Sequence, residues 1–451
     1  MATWKLYVEN YGKIEKAELE VAPLTLFVGD NNSGKSYLLS LLWGIQNIGA
    51  RRLFADLDKM ESEDVQIVSD WIKQQLSKAR EGVTCKASVT EISEQLERLI
   101  NICLNQKKDE LLKWIFNSED VKIGKLYVTL LCEDTDEFTF KYENVNEEGN
   151  GLFQMITKHG EYGIRTDWSD SDEKKSFSFL MIAICATLLG ISFMANRREP
   201  TVYLPAARTG FMLSKDVINK VGRDNTFNLS EEGEEEITPF TRPINAFLDV
   251  MSELSLEKKG QAKNIALASG IENEMAKGNV DISSLPSKEV QYVPKGKNKG
   301  MPLRVVSAVV SELSPLILIL KHKQFIKTLY YEEPEMCLHP KLQQSMGKLL
   351  CRLINIQIGV VATTHSDIIL QHINNMIKLS TTENREEICA EFGYGDMDLL
   401  SPDKVRVYQL EETDNGTTKV TELPCGRYGF EIPTFNDALD DIMEVAYTIQ
   451  G

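Results

Sequence analysis

The stretch LTLFVGDNNSGKS, residues 24–36, decides the fold. It opens as a short apolar run of the kind that forms a buried strand, and from Gly29 to Ser36 it fits the phosphate-loop pattern G-x-x-x-x-G-K-[ST]. After Ser36 the apolar residues take up helical spacing. A strand, a glycine loop and a helix in this order direct backbone N–H groups and a helix N-terminus at phosphates. The stretch therefore predicts a nucleotide site; the alternative is an ordinary glycine turn.

The side chains of this loop suggest how ATP and Mg²⁺ would be held. Lys35 would reach the β- and γ-phosphates, and the hydroxyl of Ser36 would ligate Mg²⁺. The further residues predicted to bind the nucleotide here are Gly29, Asn31, Asn32, Ser33, Gly34 and Tyr37.

A second apolar strand ends in paired carboxylates, in the stretch TLYYEEPEMCLHP (residues 328–340). Two acids at a strand end place negative charge where a phosphate-bound Mg²⁺ and an attacking water must both be held. One of Glu332 and Glu333 would orient the water shell of the metal, while the other polarises the lytic water. The alternative is an acidic turn.

A third strand, VVATTHS (residues 360–366), is also apolar and ends in a polar turn. A histidine at the carboxyl end of a parallel strand can contact the γ-phosphate and sense its hydrolysis. A lone histidine is usually structural, so the assignment of His365 to this role depends on the other two elements.

The order of these three elements resembles the ABC-type ATPases of the group that includes RecF, the SMC proteins and the overcoming-lysogenisation-defect (OLD) nucleases. The resemblance is strong over residues 1–45 and 301–375. It implies an α/β fold of the ABC-type P-loop ATPase kind, with a mixed sheet core and a helical and β insertion between the phosphate loop and the carboxylate strand. The roles that it implies are catalytic base for Glu333, metal site for Glu332, switch histidine for His365 and adenine neighbour for Tyr11.

The same resemblance implies a signature segment in VSAVVSELSPL, residues 306–316. In this family a signature serine reaches the γ-phosphate bound by the opposite subunit, so Ser307 would complete the site of a head-to-head homodimer. Val309 stands where the family has glycine, which obstructs close backbone approach and implies slow hydrolysis or imperfect closure of the dimer. The alternative is an apolar helix with incidental serines.

Composition sets further bounds on a chain of 451 residues, which is long enough for two or three cores. The formal net charge of −17 argues against a protein that coats nucleic acid through bulk charge. Eight scattered cysteines indicate reduced thiols, and the N-terminus lacks a signal-peptide pattern, so we expect a cytoplasmic protein.

One apolar run could be a membrane span, because Phe177 to Ala195 contains 19 residues without a charge. The phosphate loop precedes this run and the paired carboxylates follow it. A single span would place the two parts of one site on opposite sides of a bilayer. The run therefore predicts a buried core helix and no membrane partner.

The chain divides into four predicted segments. They are residues 1–55 with the phosphate loop, 56–200 as a helical and hairpin insertion, 201–300 as a second, polar insertion, and 301–451 with the signature segment, the carboxylates and His365. Opposite charge runs at 231–236 and 295–299 predict solvated loops, and Asp396-Met397-Asp398 predicts an ordinary turn.

The segment YLPAARTG, residues 203–210, resembles one common in the OLD-like branch of the group. Arg208 would address the nucleotide or the subunit interface; the alternative is a simple surface arginine. This segment and the C-terminal ending are most similar to the ATPase of PARIS antiphage systems. That resemblance implies an ATP-dependent homo-oligomer that holds a separately encoded Toprim-like nuclease until a phage-encoded trigger releases it.

Three other functions remain open. The ATPase of Septu systems, whose partner is an HNH nuclease, is a near alternative. A RecF-like DNA-repair or chromosome-maintenance ATPase would clamp duplex DNA, and the lysine loop at 295–299 could contact it. The nucleotide-binding subunit of a transporter is the weakest candidate.

Overall fold

A computed structural model describes residues 4–81, 84–132, 136–144, 151–157, 160–166, 170–191, 201–214, 218, 240–283, 289–426, 429–430, 445 and 447–449. The chain forms two compact units. The first comprises Met1–Val21, Gly44–Trp114 and Ser118–Glu199; the second comprises Ala22–Trp43, Ile115–Asn117 and Pro200–Gly451.

The strands and helices follow one another along the whole chain. The strands are β1 (Trp4–Tyr11), β2 (Ile14–Glu20), β3 (Leu24–Gly29), β4 (Cys85–Ser88), β5 (Ile123–Leu130), β6 (Glu137–Asn144), β7 (Gly151–Thr157), β8 (Gly160–Thr166), β9 (Thr201–Leu204), β10 (Gly278–Ile282), β11 (Val290–Pro294), β12 (Met301–Pro302), β13 (Thr328–Glu332), β14 (Gly359–Thr363), β15 (Val405–Glu412) and β16 (Thr418–Leu423). The α-helices are α1 (Lys35–Asn47), α2 (Ala50–Leu53), α3 (Glu63–Arg80), α4 (Ser93–Phe116), α5 (Asp170–Leu189), α6 (Arg242–Glu253), α7 (Ala262–Ile271), α8 (Ala308–His322), α9 (Pro340–Asn355), α10 (Asp367–Thr381) and α11 (Arg385–Phe392).

The second unit is built on a mixed sheet in the order β16-β15-β3-β14-β13-β9. All neighbouring pairs from β15 to β9 run parallel, and only β15 with β16 is antiparallel. Every residue of β3, β9 and β14 is buried, as expected for parallel strands covered on both faces. This sheet and its helices confirm the predicted α/β class with a mixed sheet core.

Helix α8 is the most deeply buried helix of this unit among those described. Every residue from Val310 to His322 is buried, including Glu312 and Lys321, whose charges require partners in the interior. Lys321 donates to Glu272 over 2.6 Å, and Glu312 pairs with Arg208 over 2.9 Å. The predicted signature segment therefore runs into the core of the second unit.

The first unit contains the antiparallel strands β5-β1-β2 and a separate antiparallel sheet in the order β4-β6-β7-β8. The pairs β6-β7 and β7-β8 are antiparallel hairpins, of the kind predicted within residues 56–200. Helix α4 covers the outer edge of β5 with side chains. Asn101 exchanges two hydrogen bonds with Val128, of 2.7 and 2.8 Å, and Asn105 donates to the carbonyl of Leu126 over 3.0 Å. The helix thus satisfies backbone groups that an open edge would present to another chain.

The apolar run at Phe177 forms the second half of α5, and its residues Leu180, Ile184 and Leu189 are buried in the first unit. This is the core helix that the sequence predicts, although residues 192–195 of the run lie outside the described part. Within that part, no helix has both the length and the apolar composition that a bilayer span needs.

Two of the three predicted polar turns can be located. Residues 295–299 are exposed after β11, as predicted for a solvated loop. Asp396 to Asp398 forms a turn in which Asp398 is buried against Arg352, at 2.6 Å. The acidic run at 231–236 lies outside the described residues, and the division into four segments stays a prediction.

Candidate nucleotide site

The phosphate loop joins β3 to α1, as the sequence predicts. Gly29 has a φ of 124°, and a Cβ atom there would overlap the carbonyl oxygen of Leu410 on the neighbouring strand β15. Gly34 has a φ of 96°, and Asn32 adopts the left-handed region at 61°. Asn31 and Asn32 are exposed, while Ser33 is buried and donates to the carbonyl of Asp30 over 2.8 Å. The loop needs glycine at its first position because both the backbone angle and the close approach exclude a side chain.

Lys35 begins α1 and folds back over the loop. Its Nζ donates to the carbonyls of Gly29, at 3.1 Å, and Asp30, with Ser33 Oγ 3.4 Å away. Burial lowers the pKa of Lys35 to about 8, although the charges of Glu333, Asp30 and Glu335 oppose the shift. A buried ammonium beside carbonyls of its own loop is poised to exchange those partners for phosphate oxygens, which carry full charge.

Glu332 ends β13 and is fixed by the neighbouring strand β9 and the turn after it. Its Oε1 accepts from the hydroxyl of Tyr203 over 2.9 Å, and its Oε2 accepts from the N–H of Ala206 over 2.8 Å. The Tyr203 hydroxyl lies 3.3 Å from Ser40 Oγ on α1, so one polar chain joins the helix after the phosphate loop to the carboxylate. Each carboxylate oxygen keeps a lone pair for a further ligand.

The oxygen donors of Ser36 and Glu332 suit Mg²⁺, which usually takes one or two carboxylates and completes its shell with phosphates and waters. Ser36 is exposed at the start of α1. In the described part of the chain, no group of three or more His, Cys, Asp and Glu side chains could hold a metal ion by itself. A magnesium ion here would depend on the phosphates as ligands.

Glu333 has an unusual backbone conformation for a residue with a side chain, with a φ of 41°. Its N–H donates to the carbonyl of Thr363 over 3.0 Å, and its carbonyl accepts from Arg208 Nη2 over 3.1 Å. Such backbone angles cost about 1–3 kcal/mol, so the surrounding bonds must hold them. The Glu333 carboxylate is half-buried and has no hydrogen-bond partner among the described residues, which leaves it able to accept from a water.

His365 follows β14, the strand between β3 and β13. Its N–H donates to Glu335 over 2.6 Å, and Thr364 Oγ1 donates to the same carboxylate over 2.9 Å. Burial lowers the pKa of the His365 imidazole, and the charge of Lys35 lowers it further. Burial also raises the pKa of Glu335. Lys35 and His365 are therefore close enough to influence each other electrostatically.

Arg208 lies behind the carboxylates rather than on the surface or facing a ligand. It is 1% exposed, and its guanidinium donates to the carbonyls of Pro205, at 2.9 Å, and Glu332, at 2.7 Å, as well as to that of Glu333. It pairs with Glu312 at 2.9 Å. A surface arginine does not fit this position, and direct contact with the nucleotide stays a prediction that this geometry does not favour.

The other predicted residues to be located are Ser307, Tyr37 and Tyr11. Ser307 is exposed and precedes α8 without a side-chain capping bond. Tyr37 is 37% exposed and stacks on Phe116 at a ring distance of 5.0 Å. Tyr11 is buried at the end of β1 in the first unit, so its predicted place beside the adenine stays a prediction.

Sequence reasoning missed three groups of this site: Glu335, Glu312 and Tyr203. Glu335 is the last residue of the motif E-E-P-E, and its position just after an apolar strand could have indicated that it belongs to the site. Glu312 and Tyr203 gave no comparable signal, because their partners lie 104 and 129 positions away along the chain.

Comparison with known proteins assigns the chain to a family. Residues 1–370 match the family model of the AAA ATPase domain. The chain belongs to the AAA ATPase domain family. The matched range of this AAA ATPase domain includes the phosphate loop, Arg208, Ser307, His365 and residues 332–335, which we call the carboxylate turn. No curated protein matches the chain.

Among solved structures the chain is similar to heads of SMC proteins, at low identity. An SMC head bound to the C-terminal winged-helix domain of ScpA is 12% identical, with a TM-score of 0.37, and 93% of this chain and 96% of that chain are covered. The SMC head domain from Thermotoga maritima is 12% identical over 94% of this chain and 100% of that chain, with a TM-score of 0.32. An SMC head with an extended coiled coil, bound to the C-terminal domain of ScpA derived from Pyrococcus furiosus, is 11% identical over 100% of both chains, with a TM-score of 0.34.

Proposed function

We propose that this AAA ATPase domain binds ATP with Mg²⁺ and hydrolyses it slowly at the strand ends of the second unit. The observation that carries the proposal is the convergence of Lys35, Glu333 and His365. They follow β3, β13 and β14, which are neighbours in one parallel sheet. The N–H of Thr364 donates to the carbonyl of Phe27 over 3.0 Å, and the N–H of Glu333 donates to Thr363, so hydrogen bonds connect the three strand ends.

Each group has a role that follows from its chemistry. The loop N–H groups and Lys35 hold the phosphates, and Ser36 with Glu332 supplies oxygen ligands to Mg²⁺, which neutralises phosphate charge when bound. The half-buried Glu333 carboxylate orients the attacking water and accepts its proton. His365, with its pKa lowered by burial, stands as a neutral imidazole near pH 7 and can accept or donate one hydrogen bond at the γ-phosphate.

Phosphate release tests this activity directly. The purified chain should release inorganic phosphate from ATP in the presence of Mg²⁺, and chelation by EDTA should stop the release. Addition of excess Mg²⁺ should restore it. A chain that binds ATP but releases no phosphate at any Mg²⁺ concentration would reduce the proposal to nucleotide binding.

We further propose that two copies share the site through Ser307. Its support is the resemblance of residues 306–316 to the signature segment, together with the exposure of Ser307 at the start of α8. Light scattering after size-exclusion chromatography should show ATP-dependent dimers of the Glu333→Gln variant. The Ser307→Arg variant should bind ATP as a monomer, and an unchanged dimer would place the interface elsewhere.

For the biological role, we propose an antiphage sensor that holds a separately encoded Toprim-like nuclease and releases it on a phage-encoded trigger. Its support is the resemblance of residues 203–210 to the PARIS ATPase. Affinity purification from the native operon, followed by mass spectrometry, should recover a stoichiometric nuclease. An HNH nuclease would indicate the Septu type instead. Recovery of neither nuclease, with phage plating unchanged on deletion, would contradict the role.

A RecF-like DNA clamp has one specific observation in its favour, the exposed lysines 295, 297 and 299. Phosphate contacts release counterions, so such a clamp would lose DNA affinity steeply as salt rises. The affinity for duplex DNA should therefore be measured from about 50 to about 200 mM salt, the range in which phosphate contacts weaken. This measurement separates the clamp from the antiphage sensor. A steep slope that Lys297→Ala reduces would favour the clamp.

A further inference from the structure

A buried arginine that no nucleotide-binding role requires donates hydrogen bonds to the backbone of the carboxylate turn. Arg208 follows β9 and is 1% exposed. Its Cζ lies over the ring of Tyr331, 4.9 Å from the ring centre, and its charge faces Glu312 of α8. Glu312 is itself 3% exposed and accepts a further hydrogen bond from the N–H of Thr209 over 2.9 Å. A buried ion pair contributes little net stability compared with well-packed apolar side chains, so stability alone does not account for this pair.

The guanidinium is directed at the backbone of the two acids. Nη1 donates to the carbonyl of Glu332 over 2.7 Å, and Nη2 donates to that of Glu333 over 3.1 Å. These two carbonyls belong to the peptide planes on either side of the Glu333 Cα, so one rigid fork that holds both restrains the two planes relative to each other. The left-handed backbone of Glu333 is the joint between these planes.

Glu333 is held from both sides. Thr363 accepts its N–H, through the backbone oxygen at 3.0 Å and through Oγ1 at 3.2 Å, while Arg208 holds its carbonyl. Since its carboxylate has no hydrogen-bond partner among the described residues, the direction of that side chain depends on the backbone. We infer that Arg208 is a positioning residue that aims the Glu333 carboxylate, and that Glu312 is the counter-ion that keeps its fork in place.

This inference rests on the proposed ATP hydrolysis, with Glu333 as the base. Arg208→Lys keeps the charge and loses the fork, so the ammonium cannot hold both carbonyls in one plane. We expect kcat to fall about 10²-fold, as a misplacement of about 1 Å does, with the Kd of ATP changed less than about threefold. Arg352→Lys is the matched control. Arg352 also pairs with a buried acid, Asp398 at 2.6 Å, and none of its described contacts involves the nucleotide loop or the carboxylate turn. Its kcat should equal that of the unmodified chain.

A double-mutant cycle separates positioning from general loss of structure. If Arg208 acts through Glu333, Arg208→Lys should slow the Glu333→Gln variant by less than about threefold, because the base is already absent. If the double variant instead shows the product of the two single reductions in kcat, the inference is wrong. Should Arg208→Lys fail to fold, Glu312→Gln keeps the shape of the counter-ion and the acceptor for Thr209. Glu312→Gln should lower kcat about tenfold in the otherwise unmodified chain. In the Glu333→Gln background it should lower kcat by less than about threefold.

The outcomes also distinguish this inference from the proposed function. An unmodified chain that binds ATP without hydrolysing it would contradict the proposed function first. A chain that hydrolyses ATP, and whose Arg208→Lys variant is folded with unchanged kcat, would overturn the positioning role alone. A raised KM with unchanged kcat would instead assign Arg208 to ATP binding and would equally overturn it.

Discussion

The backbone N–H of His365 donates a 2.6 Å hydrogen bond to the carboxylate of Glu335. Thr364 Oγ1 donates to the second oxygen of the same carboxylate over 2.9 Å. One acid of the turn after β13 thus fixes the end of β14, where the histidine predicted to sense the γ-phosphate begins its turn. The arrangement connects two of the three strand ends of the site through a group whose charge is costly to bury.

Glu335→Gln should change how stability depends on pH. Burial raises the pKa of Glu335 above its ordinary value of 4.5, so the folded chain favours the protonated acid. The stability that this preference contributes is fully present below the unfolded pKa and is lost as pH rises through the folded one. Glutamine does not titrate, and it can accept from His365 and donate to Thr364 Oγ1. We therefore expect the unfolding midpoint of the variant in urea to rise relative to that of the unmodified chain as the pH is raised above the ordinary pKa of 4.5.

The exposed Glu387 on α11 provides the control, since Glu387→Gln removes one negative charge outside this turn. A difference in midpoint between Glu335→Gln and the unmodified chain that stays constant over the whole pH range would contradict the prediction. Hydrolysis by Glu335→Gln at pH 7 reports separately on whether the carboxylate, rather than its shape, is needed to hold His365.

Lys35 makes ATP affinity depend on pH in the alkaline range. Its pKa of about 8 means that the ammonium loses its proton above pH 8 in the free chain, whereas bound phosphates require the charged form. ATP binding should then take up a proton, and affinity should fall up to about tenfold per pH unit above pH 8. Calorimetry at pH 9 in two buffers of different ionisation enthalpy measures the uptake. Equal binding heats in both buffers would contradict it.

Two substitutions of Lys35 separate its charge from its pKa. Lys35→Arg keeps a charge that does not titrate in this range, so the pH dependence should disappear even where affinity is lower. Lys35→Ala removes the only cation of residues 29–36, and ATP affinity should fall about 10²-fold or more. Lys299→Ala, in an exposed loop, is the control for lost positive charge.

The local elements of this site could be predicted from the sequence, whereas the contacts that position them could not. The sequence around the phosphate loop, β13 and β14 shows in each case a short apolar run that ends in polar residues. This pattern predicts parallel strands whose carboxyl ends lie at one edge of the sheet. The position of Arg208 follows from its pairing with Glu312, which no spacing rule connects. A polar residue at a strand end is predicted equally well to face a ligand or the interior, and only the packing of α8 decides that Arg208 faces inward.

Gly29→Ala should damage the fold far more than an alanine at another left-handed glycine. At Gly29 the φ of 124° combines with overlap between a Cβ atom and the Leu410 carbonyl, so β15 would have to move away from β3. At Gly416 the φ of 73° is unfavourable to alanine, but a Cβ atom there would have no described atom within 4 Å apart from those of its chain neighbours. Gly416→Ala should therefore cost only about 1–2 kcal/mol. Urea unfolding of both variants measures this difference in stability. Similar unfolding midpoints would contradict the prediction and show that β15 can move away from β3 at little cost.

Glu333→Gln should keep ATP binding and leave only a small residual turnover. The amide cannot accept the proton of the attacking water, so kcat should fall about 10²–10⁴-fold while the Kd of ATP stays within about threefold. Glu332→Gln should act differently. Both oxygens of Glu332 accept hydrogen bonds, from Tyr203 and Ala206, so an amide would place N–H against one of these donors and disturb the metal ligand.

The two variants are therefore distinguished by their response to Mg²⁺. Phosphate release measured as Mg²⁺ is raised should recover partly in Glu332→Gln, because excess metal compensates for a weaker site. It should not recover in Glu333→Gln, because no metal concentration supplies the missing base. Unchanged turnover in Glu333→Gln would move the base role to Glu332, and the positioning of the Glu333 backbone by Arg208 would then have no catalytic consequence.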